Sequence, residues 1–378
     1  MAISEIFSTI RSRGPLSRAE LSRVTGISKP TESGVVRELI EARLVLEQGQ
    51  AASEGGRPPT LVGLNGKAGY VMGVDVGGTT ARAVLADLEG SVLASRREPT
   101  RGETSSALVD QLVALADRLA GEAQLERSAM VTAVIGTPGV VDPDTGALRY
   151  VPNLPVLEDP AFLTALKARL SPSVAIFNDV NLAALGEHWR GAGRGLEAFA
   201  FVSIGTGLGV GLVTGGRLQT GSHGRAGELG YLRLGPAGTM TVEDVLSGPG
   251  IARAHRSAGG SGDPHDAFDE AAAGRGPGTA VVSALLPVLA WLCSTIAMTL
   301  DPEVIVLGGG IGGRLADHLP KVTERLAEAS PMTPPIVASE LGDDAGLIGA
   351  VASGLSASND LILDRIGGAN ESVGNSQR

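Results

Sequence analysis

Two glycine-rich turns, each joining two apolar strands, constrain the fold of this 378-residue chain more than any other feature. The first turn, Gly77-Gly-Thr-Thr80, follows the strand-like segment Tyr70–Val76, and the second, Gly205-Thr-Gly-Leu-Gly209, follows the strand-like segment Phe199–Ile204. Backbone N–H groups in such turns can hold a phosphate group. Their recurrence predicts an internally duplicated fold that grips phosphate between two lobes.

An acidic residue at a strand end is the strongest candidate for chemistry. The apolar segment Ser173–Phe177 ends in Asn178-Asp179, and helical spacing begins at Val180. Ligands of open α/β sheets bind beyond the carboxyl ends of the strands, so we expect Asp179 in a crevice. A carboxylate there could take a proton from a substrate hydroxyl. The alternative is that Asp179 only caps the helix.

Residues 1–67 have the pattern of a small helical domain with a wing. Ser17-Arg-Ala-Glu20 is a capping box that opens a second helix, and Ser28 can cap a third. Two short strands, Arg43–Leu46 and Thr60–Val62, follow the third helix. Two helices joined by a short glycine-containing turn predict a helix-turn-helix, here in its winged form.

Polar residues of the third helix and the wing are the candidates for DNA contacts, because such side chains bind phosphates and base edges. Residues 1–70 hold 9 basic and 7 acidic residues, whereas the remainder holds 22 and 34. This asymmetry in charge favours a polyanion as the partner of the N-terminal domain, residues 1–67, which we call the head. A protein-interaction module with a solvated polar face is the alternative. The candidates are Ser28, Lys29, Thr31, Glu32, Ser33, Arg37 and, in the wing, Arg57.

Composition excludes several kinds of site. The single Cys293 excludes an intramolecular disulfide and a cysteine-rich zinc cluster within one chain. The uncharged segment Gly276–Leu300 is long enough to span a bilayer, but Pro287 and the lack of adjacent basic residues favour a buried helix. With no secretory signal pattern at its start, the chain is expected to be cytoplasmic.

A dinucleotide-binding motif competes with this interpretation. Gly308-Gly-Gly-Ile-Gly-Gly313 satisfies G-x-G-x-x-G, follows the strand-like Glu303–Leu307 and precedes a helix. The motif normally lies on the first strand of a repeated βαβ array, whereas here it comes near the end of the chain. We therefore expect Gly309 and Gly310 to approach the adenine or ribose of a mononucleotide rather than NAD.

Most of the chain resembles the ROK family, a set of bacterial sugar kinases and winged-helix sugar-responsive repressors. Asp75–Thr80 and Gly205–Gly209 resemble the two phosphate loops of the family, and Gly136–Gly139 and Pro152–Pro155 resemble its sugar-lobe motifs. The resemblance implies an α/β fold in which an N-terminal winged helix-turn-helix precedes a two-lobed, actin-like ATPase body of the ROK sugar-kinase type.

This resemblance implies four segments. They are a DNA-binding winged helix-turn-helix domain at 1–67, lobe 1 at 68–190, lobe 2 at 191–358, and a disordered tail at 359–378. The last helix of lobe 2 could pack back on lobe 1.

Sugar and nucleotide sites also follow from the resemblance. Asn178-Asp179 resembles the family's sugar-binding pair, in which Asp is the catalytic base of the kinases. The implied sugar-binding residues are Asn153, Asn178, Asp179, Glu228, Tyr231 and Glu243. The implied nucleotide-binding residues, if ATP binds, are Asp75, Gly77, Gly78, Thr79, Thr80, Gly205, Thr206, Gly207, Gly309 and Gly310. Asp75 could also hold a metal ion through water.

The chain departs from the family at its zinc site. Tyr231 stands where the family has a zinc-binding His, and Leu232–Thr241 contains no Cys, so zinc is not expected. The zinc site normally supports the sugar loop, and its loss puts the implied sugar contacts in question. His223 nearby is expected to be a surface or hinge residue.

Three hypotheses follow. In the first, the chain is a repressor of sugar-metabolism genes that binds a double-stranded, palindromic operator as a homodimer or tetramer. A sugar or sugar phosphate between the lobes controls it, and no cofactor is required. In the second, it is a sugar kinase that uses Mg-ATP, with Asp179 as base. In the third, it is a sugar-sensing scaffold whose head binds protein. The added head and the lost zinc site favour the first, in which the chain is not an enzyme.

Overall fold

Residues 2–50, 58–170, 173–235, 238–329 and 334–375 are described in a computed structural model of the chain. Within this part of the chain, α-helices and β-strands alternate along the body and follow a small helical domain at the start. The predicted strands and helices around both glycine turns are present.

Three helices and a three-stranded sheet form the N-terminal domain. The helices are α1 (Ala2–Arg13), α2 (Arg18–Thr25) and α3 (Lys29–Glu41), and the strands are β1 (Leu16–Ser17), β2 (Val45–Gln50) and β3 (Thr60–Leu64), in the order β1-β3-β2. The predicted capping box is present, because Ser17 Oγ accepts a hydrogen bond from Glu20 N–H, and Gly26 ends α2 in the left-handed conformation. Ser28 precedes α3 but makes no side-chain capping bond.

The body contains ten further helices and twelve further strands within the described residues. Its strands are β4 (Tyr70–Val76), β5 (Thr80–Asp87), β6 (Val92–Pro99), β7 (Met130–Thr137), β8 (Val140–Val141), β9 (Leu148–Arg149), β10 (Val174–Asn178), β11 (Phe199–Ile204), β12 (Leu208–Thr214), β13 (Arg217–Gln219), β14 (Val304–Gly308) and β15 (Ile336–Ala338). Its helices are α4 (Ser105–Glu122), α5 (Pro160–Leu170), α6 (Asp179–Arg190), α7 (Val242–Leu246), α8 (Gly248–Ser257), α9 (Pro264–Ala272), α10 (Gly278–Leu300), α11 (Gly309–Ala316), α12 (Leu319–Ala329) and α13 (Ala345–Asn375).

Two five-stranded sheets share one topology. Their orders are β10-β7-β4-β5-β6 and β13-β12-β11-β14-β15. In each sheet, an antiparallel hairpin carries the glycine turn between its first two strands, and the third strand lies beyond the second. The fourth strand lies on the other side of the first, and the fifth follows it. Numbered within each sheet, both orders are 3-2-1-4-5, which is the pattern of an internally duplicated fold.

By compactness the chain divides into two units. The first unit contains residues 1–135, 160–175 and 351–378, and the second contains residues 136–159 and 176–350. The sequence suggested a boundary between the lobes at residue 190 and a last helix that could pack back on lobe 1; residues 351–378 do group with the first unit.

Helix α6 explains this difference, because it packs on the second sheet. A Cβ placed on Gly209 of β12 would lie 2.8 Å from the side chain of Val180, and one on Gly211 would lie 2.6 Å from that of Ala184. The two glycines therefore let α6 approach the strand closely, and α6 belongs with the second unit.

The uncharged segment near the end of the chain is helix α10 of the second unit. Among the described helices it alone is long and apolar enough to cross a membrane, but 61% of its most apolar stretch is buried. Leu289, Leu292 and Cys293 are fully buried in an apolar cluster. Burial raises the pKa of the Cys293 thiol to about 12, which leaves this thiol unreactive at neutral pH. Helix α10 packs as the core helix that its sequence predicted.

Helix α13 runs through the segment that the sequence predicted as a disordered tail from residue 359. The helix continues to Asn375. Ile362 is 4% exposed, and the side chain of Asn359 accepts a hydrogen bond from Arg11 of α1. Apolar burial and a polar contact with the N-terminal domain therefore extend the helix past the predicted limit, and both contacts lie within the first unit.

Candidate functional site

Asn178, rather than Asp179, caps the helix that follows strand β10. The Oδ1 atom of Asn178 accepts a hydrogen bond from Asn181 N–H at 3.0 Å, which is the N-cap bond of α6. Asp179 is the first residue of α6, and its Oδ1 accepts from Val180 N–H at 2.8 Å. The N-cap residue of α6 is therefore Asn178, while Asp179 satisfies a further N–H of the first turn.

Asn178 also holds the turn that follows strand β7. Its Nδ2 donates to the carbonyl oxygen of Gly139 at 3.0 Å. Gly139 has a φ of +95° and lies against the backbone of Arg149 and Tyr150 in the β8–β9 hairpin, where a Cβ would come 2.8 Å from the Arg149 carbonyl oxygen. Only glycine fits this position. Asn178 thus connects α6 to the segment that precedes the predicted sugar residue Asn153, which is exposed.

Glu228 is positioned by the glycine before it. Gly227 has a φ of +87°, and a Cβ there would lie 1.7 Å from the carbonyl oxygen of Val210 in β12. The Gly227 carbonyl accepts from Val210 N–H at 3.2 Å. The loop carrying Glu228 is therefore pinned to the strand that follows the second glycine turn.

Glu228, Glu243 and two tyrosines form an electrostatic cluster. Burial, and then the nearby charge of Glu243, raise the pKa of Glu228 above its ordinary value. Burial raises the pKa of Tyr231 as well, with smaller contributions from Glu228, Glu243 and Tyr150. Tyr231 and Tyr150 are 59% and 54% exposed, so their rings stand at the mouth of the cluster. The two carboxylates can accept hydrogen bonds from a polyol, and the phenol hydroxyls at the rim can donate hydrogen bonds to it.

Glu243 also holds the second glycine turn. Its Oε2 accepts from Leu208 N–H at 2.8 Å, and Gly248 N–H donates to the Gly205 carbonyl at 2.8 Å. Thr206 is exposed at the tip of the turn, and Gly207 lies beside the Glu243 carboxylate. The acid that the resemblance places near the sugar therefore supports the turn with one of its two oxygens.

The first glycine turn is exposed but carries a neutralised acid. Gly78 and Thr79 are exposed, and Gly77 N–H donates to the Thr80 carbonyl at 2.9 Å. Arg82 Nη2 lies 2.6 Å from Asp75 Oδ2, directly across the β4–β5 hairpin. Asp75 would be the ligand of a nucleotide-bound metal ion at this turn. Because Arg82 is paired with one oxygen of this carboxylate, a metal ion here would have to compete with that cation.

The late glycine motif lies on a central strand of the second sheet. β14 runs parallel to β11 and β15, and Gly308 occupies the N-cap position of α11. Gly309 has a φ of +79°, and a Cβ there would lie 2.5 Å from the Ile204 carbonyl, whereas a Cβ on Gly310 would meet open space. Gly310 therefore leaves room for a ligand, while Gly309 is required for packing against β11.

A hairpin occupies the segment where the family has its zinc cysteines. Val242 N–H donates to the Leu232 carbonyl and Leu234 N–H to the Met240 carbonyl, both at 2.9 Å. Thr241 and Asp244 form a capping box that starts α7. No group of three or more His, Cys, Asp and Glu side chains that could hold a metal ion occurs among the described residues. The residues here do not fit zinc, and backbone hydrogen bonds close the segment instead.

Most of the predicted DNA-contacting residues lie on the surface of α3. Ser28, Lys29, Thr31 and Arg37 are exposed, and Ser33 is half-buried. Glu32 is 1% exposed, so its carboxylate does not lie on this surface. The prediction for Glu32 is wrong because the residue turns toward the interior of the domain with Val36 and Leu39. Arg57 lies outside the described residues.

Two residues of the site were missed in the sequence. Arg82 could have been found from the sequence. It lies two residues after the turn Gly77–Thr80, Asp75 lies two residues before it, and a hairpin places such positions opposite each other. Tyr150 carries a weaker signal. It has a φ of +59°, which is uncommon for a non-glycine residue and depends on the surrounding chain.

Comparisons with known proteins identify relatives of two kinds. The sequence model described as "ROK family" matches residues 71–355. The chain is 31% identical over 225 residues to the xylose repressor of Bacillus subtilis, covering 60% of this chain and 58% of that protein. It is 32% identical over 312 residues to the glucokinase of Halalkalibacterium halodurans, covering 74% of this chain and 93% of that protein. The chain spans only 52–58% of the length of several curated relatives, the xylose repressor among them.

One solved structure matches nearly the whole chain. It is a ROK family transcriptional regulator, described as a homologue of the E. coli MLC protein, with a TM-score of 0.81 and 23% identity. The match covers 97% of this chain and 98% of that chain, so it includes the N-terminal domain. At this identity the likeness concerns the fold alone.

Proposed function

Because the chain belongs to the ROK family, we propose that it is a sequence-specific DNA-binding repressor of sugar-metabolism genes whose effector is a sugar or sugar phosphate. The ion pair between Arg82 and Asp75 carries the choice of regulator over kinase. A kinase of this fold would need an acid at the first glycine turn for its metal ion, and here that acid is already paired. Sugar binding requires no such acid.

The N-terminal domain supports DNA as the partner. α2 and α3 are joined by a short turn that contains the left-handed Gly26, and β2 and β3 follow as the two strands of a wing. This order of elements supports a winged helix-turn-helix, in which the second helix of the motif enters the major groove. Lys29 and Arg37 on the exposed side of α3 supply the positive charge that phosphate contacts need.

The effector site in this proposal lies within the second unit. Asp179 and Glu228 accept hydrogen bonds from sugar hydroxyls, Tyr231 borders the site, and Asn178 holds the local backbone. All belong to residues 136–159 and 176–350. Asn153 is a further contact of the same sugar. Glu243 contributes through the oxygen that the second glycine turn leaves unused.

Repression by this chain requires at least two copies. A palindromic operator presents two half-sites about one helical turn apart, and a homodimer or tetramer presents two heads to them. A sugar that prefers one conformation of the body changes the DNA affinity tenfold for each 1.4 kcal/mol or so of coupling between the two sites.

Fluorescence anisotropy tests the DNA proposal with the full chain and DNA fragments from upstream of its own gene. Lys29→Ala and Arg37→Ala should each weaken binding and reduce the slope of log affinity against log salt by about 0.9 per lost phosphate contact. Lys167→Ala, which removes the same charge from an exposed position on α5, is the matched control. Equal binding by all four proteins would refute the proposed interface, and no binding by the wild type would favour a head that binds protein.

A sugar kinase is the second candidate, and the position of Asp179 favours it. Asp179 directly follows strand β10, and its carboxylate, which also accepts from Val180 N–H, is the candidate to take the proton of a sugar hydroxyl. A coupled assay with a panel of hexoses tests this candidate. Turnover that is lost in Asp179→Asn would establish it, whereas the absence of turnover in the wild type would remove it.

A further inference from the structure

Two of the three tyrosines of the chain are exposed at one place, the border of the cluster that contains Glu228 and Glu243. Tyr150 and Tyr231 are 54% and 59% exposed, whereas Tyr70 is buried. Burial raises the pKa of Tyr231, and Glu228, Glu243 and Tyr150 contribute in that order, so Tyr150 lies close to Tyr231. Both tyrosines belong to the second unit. The proposed sugar site therefore has two aromatic rings at its rim.

The backbone at Tyr150 is in a conformation that tyrosine rarely adopts. Its φ of +59° lies in the left-handed region, where a side chain costs free energy. The surrounding chain fixes this conformation. A Cβ on Gly139 would lie 3.3 Å from the Tyr150 carbonyl oxygen, and Val151 N–H donates to Glu158 Oε1 at 2.8 Å. Glycine or asparagine would fit here at lower cost, and strained residues concentrate at ligand sites. The ring of Tyr150, and not its backbone, therefore accounts for a tyrosine at this position.

The side chains beside these rings are acidic. Burial and then the charge of Glu243 raise the pKa of Glu228, and the charges that act on Tyr231 are those of the same two acids. A phosphate group placed among these carboxylates would meet like charges in a partly buried site, where repulsion is strong. Neutral hydroxyls would not be repelled. The cluster therefore favours an unphosphorylated sugar.

We infer that Tyr150 and Tyr231 bind a second ring, so that the effector is an unphosphorylated glycoside with two rings, such as a disaccharide. One sugar ring hydrogen-bonds to Glu228 and its neighbours. The second ring packs its C–H face on the tyrosines and keeps its hydroxyls in water. Tyrosine suits this role, because it offers a large, rigid surface with few rotatable bonds. The inference rests on the proposed sugar site and is independent of what the head binds.

Titration calorimetry with the full chain tests this class of ligand. The probes are glucose, galactose, mannose and N-acetylglucosamine, each as the free sugar, its 6-phosphate, and its methyl and phenyl glycosides in both anomers, together with disaccharides that contain them. A methyl and a phenyl glycoside of one sugar differ mainly in the ring that the tyrosines would receive. For the hexose that binds, at least one two-ring ligand should have a Kd about fivefold below those of the free sugar and its methyl glycoside. The 6-phosphate should bind more weakly than the free sugar.

Tyrosine variants separate a ring contact from a hydrogen bond and from a structural role. Tyr150→Phe keeps the ring and should keep the gain from the second ring. Tyr150→Asn should lose this gain but keep the affinity for the free hexose and the wild-type circular dichroism, because asparagine tolerates the left-handed backbone. Tyr231→Ala should lose the gain as well. Leu93→Ala removes a 42% exposed apolar side chain from β6 of the first unit and is the control that should keep the gain.

The results that would overturn the inference can be told apart from those that would also overturn the proposed function. If a free hexose or a 6-phosphate binds more tightly than every two-ring ligand, or if the gain survives Tyr150→Asn and Tyr231→Ala, the two-ring class is wrong while the proposed sugar effector stands. A gain that is lost in Tyr150→Phe would mean that the hydroxyl, and not the ring, makes the contact. If none of the probes binds, the inference fails together with the proposed sugar effector.

Discussion

Arg82 and Asp75 lie directly opposite each other on strands β5 and β4, with Nη2 of the guanidinium 2.6 Å from Oδ2 of the carboxylate. The side chains are 22% and 20% exposed, so the pair is partly shielded from water. The glycine turn between them is exposed at Gly78 and Thr79, and the acid that precedes it is paired with a cation. In the proposed function, this pair is what distinguishes the turn from that of a metal-dependent kinase.

Removal of Arg82 should restore an affinity for magnesium nucleotides. We expect Arg82→Gln to bind a non-hydrolysable Mg-ATP analogue about tenfold more tightly than the wild type, which corresponds to about 1.4 kcal/mol. Arg82→Lys keeps a cation beside Asp75 and is the matched control. Titration calorimetry with and without magnesium measures the effect. Tight magnesium-dependent binding by the wild type, unchanged in Arg82→Gln, would contradict this prediction.

Substitutions of Asn178 and Asp179 should have different effects, the first on the stability of the chain and the second on sugar binding. Asn178→Ala removes the N-cap bond of α6 and the bond to the Gly139 carbonyl, so it should lower the free energy of unfolding by about 1–2 kcal/mol. Asp179→Asn keeps the shape of the side chain and should leave this free energy within about 0.5 kcal/mol, while abolishing the thermal shift caused by sugars. Urea titration and a sugar thermal-shift panel measure the two effects. Equal destabilisation by both substitutions would show that Asp179 is structural.

The sequence predicted the parts of the fold that depend on local pattern. The hairpin strands around Gly77–Thr80 and Gly205–Gly209 follow from apolar runs and glycine turns, and the capping box of α2 follows from Ser17 and Glu20. Residue pairs that meet through tertiary packing were harder to predict. The assignment of α6 to the second unit depends on Gly209 and Gly211, which are glycines in strand interiors and allow close packing.

The candidate site shows the same division. The pattern of the chain placed Asp179 at a strand end, whereas Glu228 and Glu243 were singled out only by the resemblance to the ROK family. It could not show that Asn178 would take the capping role, because Asn and Asp cap helices equally well. It also could not show that Glu32 points inward, since one helix position separates it from the exposed Thr31 and the periodicity near a helix start is weak.

Glu228 should make the stability of the chain depend on pH. Burial and the charge of Glu243 hold the pKa of Glu228 above its ordinary value of 4.5 in the folded chain. The folded state therefore disfavours the ionised form. The stability contributed by the neutral form is complete below the unfolded pKa and is lost as pH rises through the raised folded pKa.

Replacing Glu228 by Gln removes this dependence of stability on pH. The melting temperature of Glu228→Gln should therefore match that of the wild type near pH 4 and exceed it near pH 8. Glu340→Gln, at an exposed position, should follow the wild type at both pH values. The sugar affinity of Glu228→Gln should fall despite its greater stability, because an acceptor carboxylate is lost. A variant less stable than the wild type at pH 8 would refute the assigned electrostatics.

Arg11 should couple the N-terminal domain to the end of the chain. Its guanidinium donates from Nη1 to Ser358 Oγ at 3.1 Å and to Asn359 Oδ1, and from Nη2 to the Leu355 carbonyl. Ser358 is fully buried, so this contact is shielded from water. Because hydrogen bonds from a charged donor are worth about 1.5–3 kcal/mol, Arg11→Ala should lower the free energy of unfolding by that amount.

Hydrogen exchange of the α1 and α13 amides locates this loss, because both helices should exchange faster in Arg11→Ala if the contact holds them together. Arg13→Ala removes the same charge from an exposed position two residues later on α1 and should change stability by less than about 0.5 kcal/mol. The double variant Arg11→Ala/Asn359→Ala should be less destabilised than the sum of the two single variants, since both remove the same hydrogen bond. Additive effects, or faster exchange in α1 alone, would mean that α13 does not support the N-terminal domain.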